Sequence, residues 1–335
     1  MTFRRNAHQM STMASSCLLA GAILVGACAG SEADAGGLRV GLVTPGSVAD
    51  AAWNSQAYAG LERIADSLGA ATSHVEARTP AEQEEALRAY AAQGYDLVFA
   101  HGFEFQDMSE RVSRQYPHTA FVVTSGVRAA ENVSPIIFRL ADATYLGGMV
   151  AGAVTRTGII GFVGGVEIPP VRDAYEGWVA GARRENAHVE ARQTYLNNWD
   201  DPAAGREAAL ALIRVGADVL HHNADQAGIG AFRAVSESPG TWIIGANADQ
   251  AELARERVLG SAVLDLPHAF LLVGRRVQDG SWRSEVLEFG LASEVVRWVG
   301  NPVTDSVTPP DLDARVAAVA DSIRAGTVDP LPDRP

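Results

Sequence analysis

No lysine occurs anywhere in this chain of 335 residues; each of its 27 formal cations is an arginine. That absence excludes Schiff-base catalysis and the phosphate loop ending in Gly-Lys, both of which need an ε-amino group. Cysteine is nearly missing too. The two present, Cys17 and Cys28, both lie near the N-terminus, so residues 29 onward have no disulfide or thiol and depend on core burial for stability. Positive charge is scarce: 40 acidic residues leave a formal net charge of −13, which argues against nucleic acid as a partner. Catalytic signatures are also lacking, with no Gly-x-Ser-x-Gly, no His-Glu-x-x-His and no phosphate loop. Gly164-Gly165 follows an apolar run but lacks the third glycine of a dinucleotide fingerprint. The apolar run from Met13 to Ala27 is shorter than the roughly 20 residues a membrane-spanning helix needs.

That short run has an informative order. Arg4 and Arg5 precede it, Val25-Gly26-Ala27-Cys28 closes it, and the polar stretch Gly30 to Gly37 follows as a tether. The closing tetrapeptide resembles the lipobox of bacterial lipoproteins. The resemblance implies cleavage before Cys28 and a diacylglycerol thioether on its sulfur, which makes residues 1–27 a lipoprotein signal peptide, 28–37 a tether, and the body extracytoplasmic and lipid-anchored. The competing readings are an ordinary cleaved signal and an uncleaved membrane helix.

From Leu38 onward, short runs rich in Val and Ile alternate with segments of helical period, the pattern of a parallel sheet covered by helices. Strands are expected at Arg39–Thr44, Asp96–Ala100, Ala120–Thr124, Ile159–Val163, Asp218–His221, Trp242–Gly245 and Val258–Val263. Thr79-Pro80-Ala81-Glu82 carries a cap, a proline at the first helical position and a glutamate able to close a capping box; Asp201-Pro202 repeats the cap and proline. So long an α/β body predicts two doubly wound lobes. The expected division is 38–138 with 247–281, then 139–246 with 282–326, a last helix at Leu312–Arg324, and a disordered tail over 327–335.

In such sheets ligands bind beyond the carboxyl ends of the strands, so the residues after each strand are the candidates. Asp50, Trp53 and Asn54 follow the first; Trp53 is either an aromatic wall of a cleft or core packing. His101-Gly102-Phe103-Glu104-Phe105-Gln106-Asp107 combines a glycine with aromatic and acidic types, and Asp107 is either a cleft residue or a helix cap. Asn198 and Trp199 stand at the equivalent loop of the second half, where Trp199 would oppose Trp53. Asn223 and Asp225 follow a later strand, and Asn247 and Asp249 another. Neighbouring strand residues point to opposite faces, so His221 and His222 are not expected to share a metal. No metal and no cofactor is expected.

These residues, taken in order, resemble the basic membrane protein family of substrate-binding lipoproteins, which includes purine-nucleoside receptors of ABC importers. The likeness is carried by Val40-Gly41-Leu42-Val43, Asp50-x-x-Trp53-Asn54, Gly102-Phe103-x-Phe105-x-Asp107 before Tyr116-Pro117, and Tyr145-Leu146-x-Gly148. Thr157-Gly158-x-Ile160-Gly161-Phe162-Val163-Gly164-Gly165, Trp199-x-Asp201-Pro202-x-x-Gly205, Gly216-Ala217-Asp218-Val219 and Ile244-Gly245-x-x-x-Asp249-Gln250 continue it. It implies a type I periplasmic-binding fold with three crossings, a permease partner, and a purine held between Trp53 and Trp199 with polar contacts from Asn54 and Asp107. Asn247 replaces the family's aspartate, and Leu264 falls at or near its lysine, the two groups expected to grip ribose. A free base therefore competes with a nucleoside as ligand. Two other functions fit the residues: a sensor that passes its closed state to a membrane receptor, and a hydrolase using His221, His222, Asp225 and Asp249.

Overall fold

The computed structural model describes residues 37–49 and 53–331. Cys28, the signal and most of the tether expected around it, and Asp50 lie outside the described residues. Two six-stranded sheets form the body. The first contains β1 (Arg39–Thr44), β2 (Ala71–Glu76), β3 (Leu97–His101), β4 (Ala120–Thr124), β5 (Val133–Phe138) and, after a long excursion, β11 (Leu287–Phe289). The second contains β6 (Ile159–Gly164), β7 (Glu190–Tyr195), β8 (Val219–Asn223), β9 (Trp242–Asn247), β10 (Val258–Leu264) and β12 (Val296–Gly300). All pairings are parallel except that of β10 with β12. The central strands are buried on both faces, which is why they read as mostly apolar runs rather than alternating ones. The outer strands β2 and β7 are mostly polar and half-exposed, so the apolar pattern leaves them unmarked.

The chain passes between the sheets after β5, after β10 and after β11. The return to the first lobe expected at residue 247 comes only after Leu264, because β10 hydrogen-bonds to β9 and continues the second sheet. Likewise Leu287–Phe289, expected in the second lobe, pairs with β5 of the first. The described part of the expected tail is attached: Val328 packs on the second-lobe core and Asp329 lies 3.4 Å from Arg139.

Helices cover both sheets. In α1 (Trp53–Leu68), Asn54, Ala57, Leu61 and Ile64 are buried at helical spacing, and the helix meets α8 (Leu266–Gln278), where Phe270 stacks on Phe99 at 3.9 Å. The capping box of α2 (Pro80–Ala92) forms as its sequence predicts, with Thr79 and Glu82 exchanging side-chain-to-backbone bonds. A short α3 (Gln106–Ser113) follows β3.

The second lobe is held by backbone-close helix pairs. Against α4 (Leu140–Val154) lies α5 (Pro169–Glu185), so closely that a Cβ on Gly181 would stand 1.9 Å from the Tyr145 carbonyl oxygen and one on Gly148 2.0 Å from that of Trp178. The pair α6 (Pro202–Arg214) and α7 (Asp225–Glu237) is locked in the same way through Gly205 and Gly230. The last helix, α9 (Leu312–Arg324), closes that lobe. Gly181→Ala is expected to lower stability by about 1–3 kcal/mol, read as a fall in denaturant midpoint; Gly37→Ala, which meets nothing within 4 Å, should leave the midpoint unchanged.

Candidate functional site

A cavity of about 170 Å³ lies between the lobes, at the carboxyl ends of the strands of both sheets. The first lobe contributes Trp53 and Asn54 from the start of α1, Phe103 and Glu104 after β3, Ser125 after β4, and Phe138 at the end of β5. From the second lobe come Ile168, Pro170 and Val171 at the start of α5, Trp199 and Asp200 after β7, Asn223 and Asp225 at the end of β8, Asn247 at the end of β9 and Leu264 at the end of β10.

Each tryptophan has a defined support. The Trp53 ring stacks on His101 with centroids 4.2 Å apart and planes 26° from parallel, and meets Phe138 edge-on at 6.3 Å. His101 Nε2 lies 3.2 Å from the Trp53 carbonyl, which can only accept, so Nε2 carries the proton and Nδ1 accepts from the Thr124 hydroxyl at 2.9 Å. Burial lowers the His101 pKa to about 3, leaving it neutral at working pH. Trp199 lies across Gly165, where a Cβ would sit 2.2 Å from its ring. Its loop is fixed by Leu196 and Asn197 amides donating to the Gly165 carbonyl and by the Ala227 amide donating to the Trp199 carbonyl at 2.7 Å.

The cavity loops depart from ordinary backbone geometry. Ser125, Asn197, Asp225 and Asn247 all have positive φ, between 47° and 64°, and they end or follow β4, β7, β8 and β9. Such conformations are disfavoured for side chains with a Cβ and persist where surrounding structure enforces them, commonly at binding sites. Two of these residues also bridge the lobes. The Trp53 amide donates to Asp225 Oδ1 at 3.4 Å, and Gln56 Nε2 donates to the Asn247 carbonyl at 2.7 Å.

The sequence candidates divide by position. Trp53, Asn54, Phe103, Trp199, Asn223 and Asn247 border the cavity. Asp107 does not: its side chain is 73% exposed and pairs with Arg128 at 2.6 Å. Phe103–Phe105 forms one 3-10 turn that runs into α3, and this turn carries Asp107 past the cleft while leaving Glu104 in it. Asn198 and Asp249 also lie off the cavity, each spent on its own turn, with Asn198 accepting from the Asp201 amide and Asp249 from the Ala251 amide. Residues not chosen from sequence are Glu104, Ser125, Phe138, Asp200 and the Ile168–Val171 segment. Ser125 directly follows an expected strand and Glu104 lies within a loop already singled out, so strand position alone marks both, while the Ile168–Val171 segment is signalled by Gly164-Gly165 and the tandem prolines.

His221 and His222 sit on opposite faces of β8. His221 packs between Phe162 and Trp178 and donates from Nδ1 to the Ile244 carbonyl at 3.1 Å; His222 donates from Nε2 to Gln250 Oε1 at 2.8 Å. Burial lowers their pKa values to about 3 and about 4, and among the described residues no group of metal-ligating side chains is gathered. With three buried histidines titrating below the unfolded value of 6.5, the unfolded chain binds more protons than the folded one in that interval. Stability is therefore full above about pH 6.5 and falls as pH drops toward the folded values, by up to about 1.4 kcal/mol per histidine per pH unit. Urea midpoints should stay level from pH 7.5 to about 6.5 and decline from there to pH 5; a flat profile over the whole range would contradict the neutral assignments.

Residues 38–325 match the family model described as Bmp, ABC transporter substrate-binding protein PnrA-like. A basic membrane protein A2 of Borrelia garinii is 28% identical over 284 residues, covering 82% of this chain and 84% of its own. A purine-binding protein of Brucella abortus is 25% identical over 316 residues, 93% of this chain and 87% of its own. A putative ABC transporter glucose-binding protein of Haloferax volcanii is 32% identical over 224 residues, 67% of this chain, which spans 56% of that relative's length. Among solved structures, an ABC transporter solute-binding protein of Aeropyrum pernix superposes with a TM-score of 0.78 at 23% identity, covering 87% of this chain and 92% of its own. The architecture is the type I periplasmic-binding fold that the sequence resemblance implies.

Proposed function

The chain belongs to the PnrA-like family of ABC transporter substrate-binding proteins, and from that premise we propose that it captures a small planar heterocycle, a purine base or nucleoside, for a membrane permease. The supporting observation is that Trp53 and Trp199, from opposite lobes, border one cavity. Flat rings on both sides reward a flat ligand by stacking, worth about 1–3 kcal/mol per aromatic wall by analogy with bases on aromatic side chains. Asn54, Asn223 and Asn247 supply amides around it, and the purine-binding relative gives the ligand class precedent. Asn247 and Leu264 put no charge at the end of β9 or β10. A charge-assisted grip on ribose hydroxyls is therefore missing there, which favours the base over the sugar as the recognised part.

Substrate-binding proteins of this kind work outside the cytoplasm, and no described helix is long and apolar enough to cross a membrane. The lipid anchor at Cys28 supplies the attachment in this proposal. Cys28→Ala is expected to abolish incorporation of a fatty-acid label and release the protein from membranes; unchanged labelling would remove the anchor from the account.

Ligand class is tested by mass spectrometry of the molecule that copurifies with the protein, then calorimetry against purine bases and nucleosides. Trp53→Ala and Trp199→Ala should each weaken binding by about tenfold to a hundredfold. Full affinity in both variants, or tight sugar binding with no purine binding, would overturn the planar-ligand reading.

A further inference from the structure

Resting on the planar-ligand reading, we infer that Glu104 sets specificity in the cleft: the ligand presents two adjacent N–H donors, as the edge of guanine does, and carries no anionic group. Glu104 borders the cavity from the 3-10 turn after β3. Its carboxylate folds back over Gly102, so closely that a Cβ on that residue would stand 2.5 Å from Oε2 and 2.9 Å from Oε1. Gly102 has a φ of 145°, a conformation that favours glycine, so the bare backbone both permits the turn and leaves room for the carboxylate. The position is built into the loop.

No described arginine pairs with it. The nearest arginine in sequence, Arg111, is held by Glu84 at 2.7 Å, and Arg128 is held by Asp107 and Glu110 at 2.6 and 2.8 Å. The hydrogen bond that Glu104 does make is to its own backbone amide, and desolvation in the cleft raises its pKa. Glu104 is exposed on the open cleft, so its carboxylate is reachable by a ligand, and a pair of donors would stabilise its ionised form. Ionised carboxylates only accept, through two oxygens, and match a pair of parallel N–H donors.

The remaining lining charges have the same sign. Asp200 and Asp225 border the cavity with Glu104, and none of the described residues lining it is an arginine or histidine. A phosphate or carboxylate entering there meets like charge among the described lining residues, which rejects anions as firmly as new contacts select donors.

The test uses calorimetry on the full-length protein in detergent with guanosine, inosine and guanosine 5′-monophosphate. Inosine differs from guanosine only in lacking the exocyclic amine, so the wild type should bind guanosine about tenfold more tightly. Glu104→Gln, which replaces one acceptor by a donor, should bring that ratio to near one without changing the thermal midpoint. The monophosphate should bind at least about tenfold more weakly than guanosine. Inosine binding equal to guanosine binding in the wild type, a ratio retained in Glu104→Gln, or a monophosphate bound as well as the nucleoside would overturn the assignment while leaving a planar ligand in place. If none of the three binds, guanine and hypoxanthine replace guanosine and inosine in the same comparison, and failure of those bases to bind as well would overturn both.

Discussion

Parallel strand pairing is the constraint on which the site depends. A parallel ladder sends every strand in the same direction, so the loops that leave their carboxyl ends gather on one edge of the sheet. Here two such sheets are linked by three crossings, and those loop-bearing edges border a single cavity. The antiparallel exception, β12, pairs on the outside of β10 and brings no residue to the cavity. Loop residues could therefore vary in type while their address stayed fixed. Rigidity comes from behind: glycine-mediated contact of α6 with α7 fixes the helix starts from which Asp225 and the Trp199 loop project.

That constraint explains which parts of the site the sequence disclosed. Strand positions are legible from buried apolar runs, and residues at or directly after a strand's end inherit its address, so Asn223 and Asn247 fall where the pattern puts them. Direction beyond the first residue or two is decided by the turn. Asp107 shows this: the motif that contains it is apparent, yet the 3-10 turn before it points Glu104 inward and delivers Asp107 to Arg128, a partner distant in sequence. Asn198 and Asp249 illustrate a second cause, since short polar side chains satisfy their own turns before they serve a ligand. The lobe boundary was misplaced for a third reason. Whether β10 joins its predecessor or crosses back depends on long-range pairing, and local composition carries no record of it.

The two lobes touch through the residues that border the cavity. Asp225 takes the Trp53 amide, Asn247 takes the Gln56 amide through its carbonyl, and both acceptors sit at positive φ. Binding surface and lobe contact are thus one structure, so a ligand that orders these loops also favours the closed arrangement of a hinged pair. The crossings are restrained rather than loose. Asp142, at the start of α4, receives the Leu291 amide from another crossing and pairs with Arg139, which in turn reaches Asp329. Desolvation raises the Asp142 pKa despite that arginine, as expected of a carboxylate enclosed where three chain segments meet.

A chain without lysine must place arginine with care, and this one keeps most of its described ion pairs at the surface, among them Arg206 with Glu237 and Arg276 with Glu285, whereas Arg139 pairs with the buried Asp142. Exposed pairs of that kind contribute about 0–1 kcal/mol each, so the fold rests on its four apolar clusters and the glycine-closed helix contacts. The consequence reaches the cleft. With the described arginines placed elsewhere, the charged residues among the described lining of the cavity are Glu104, Asp200 and Asp225, all acidic. Selectivity by charge then follows from where the cations are not, while the two tryptophans, one braced by a neutral histidine and one by bare backbone, define the shape that charge selects within.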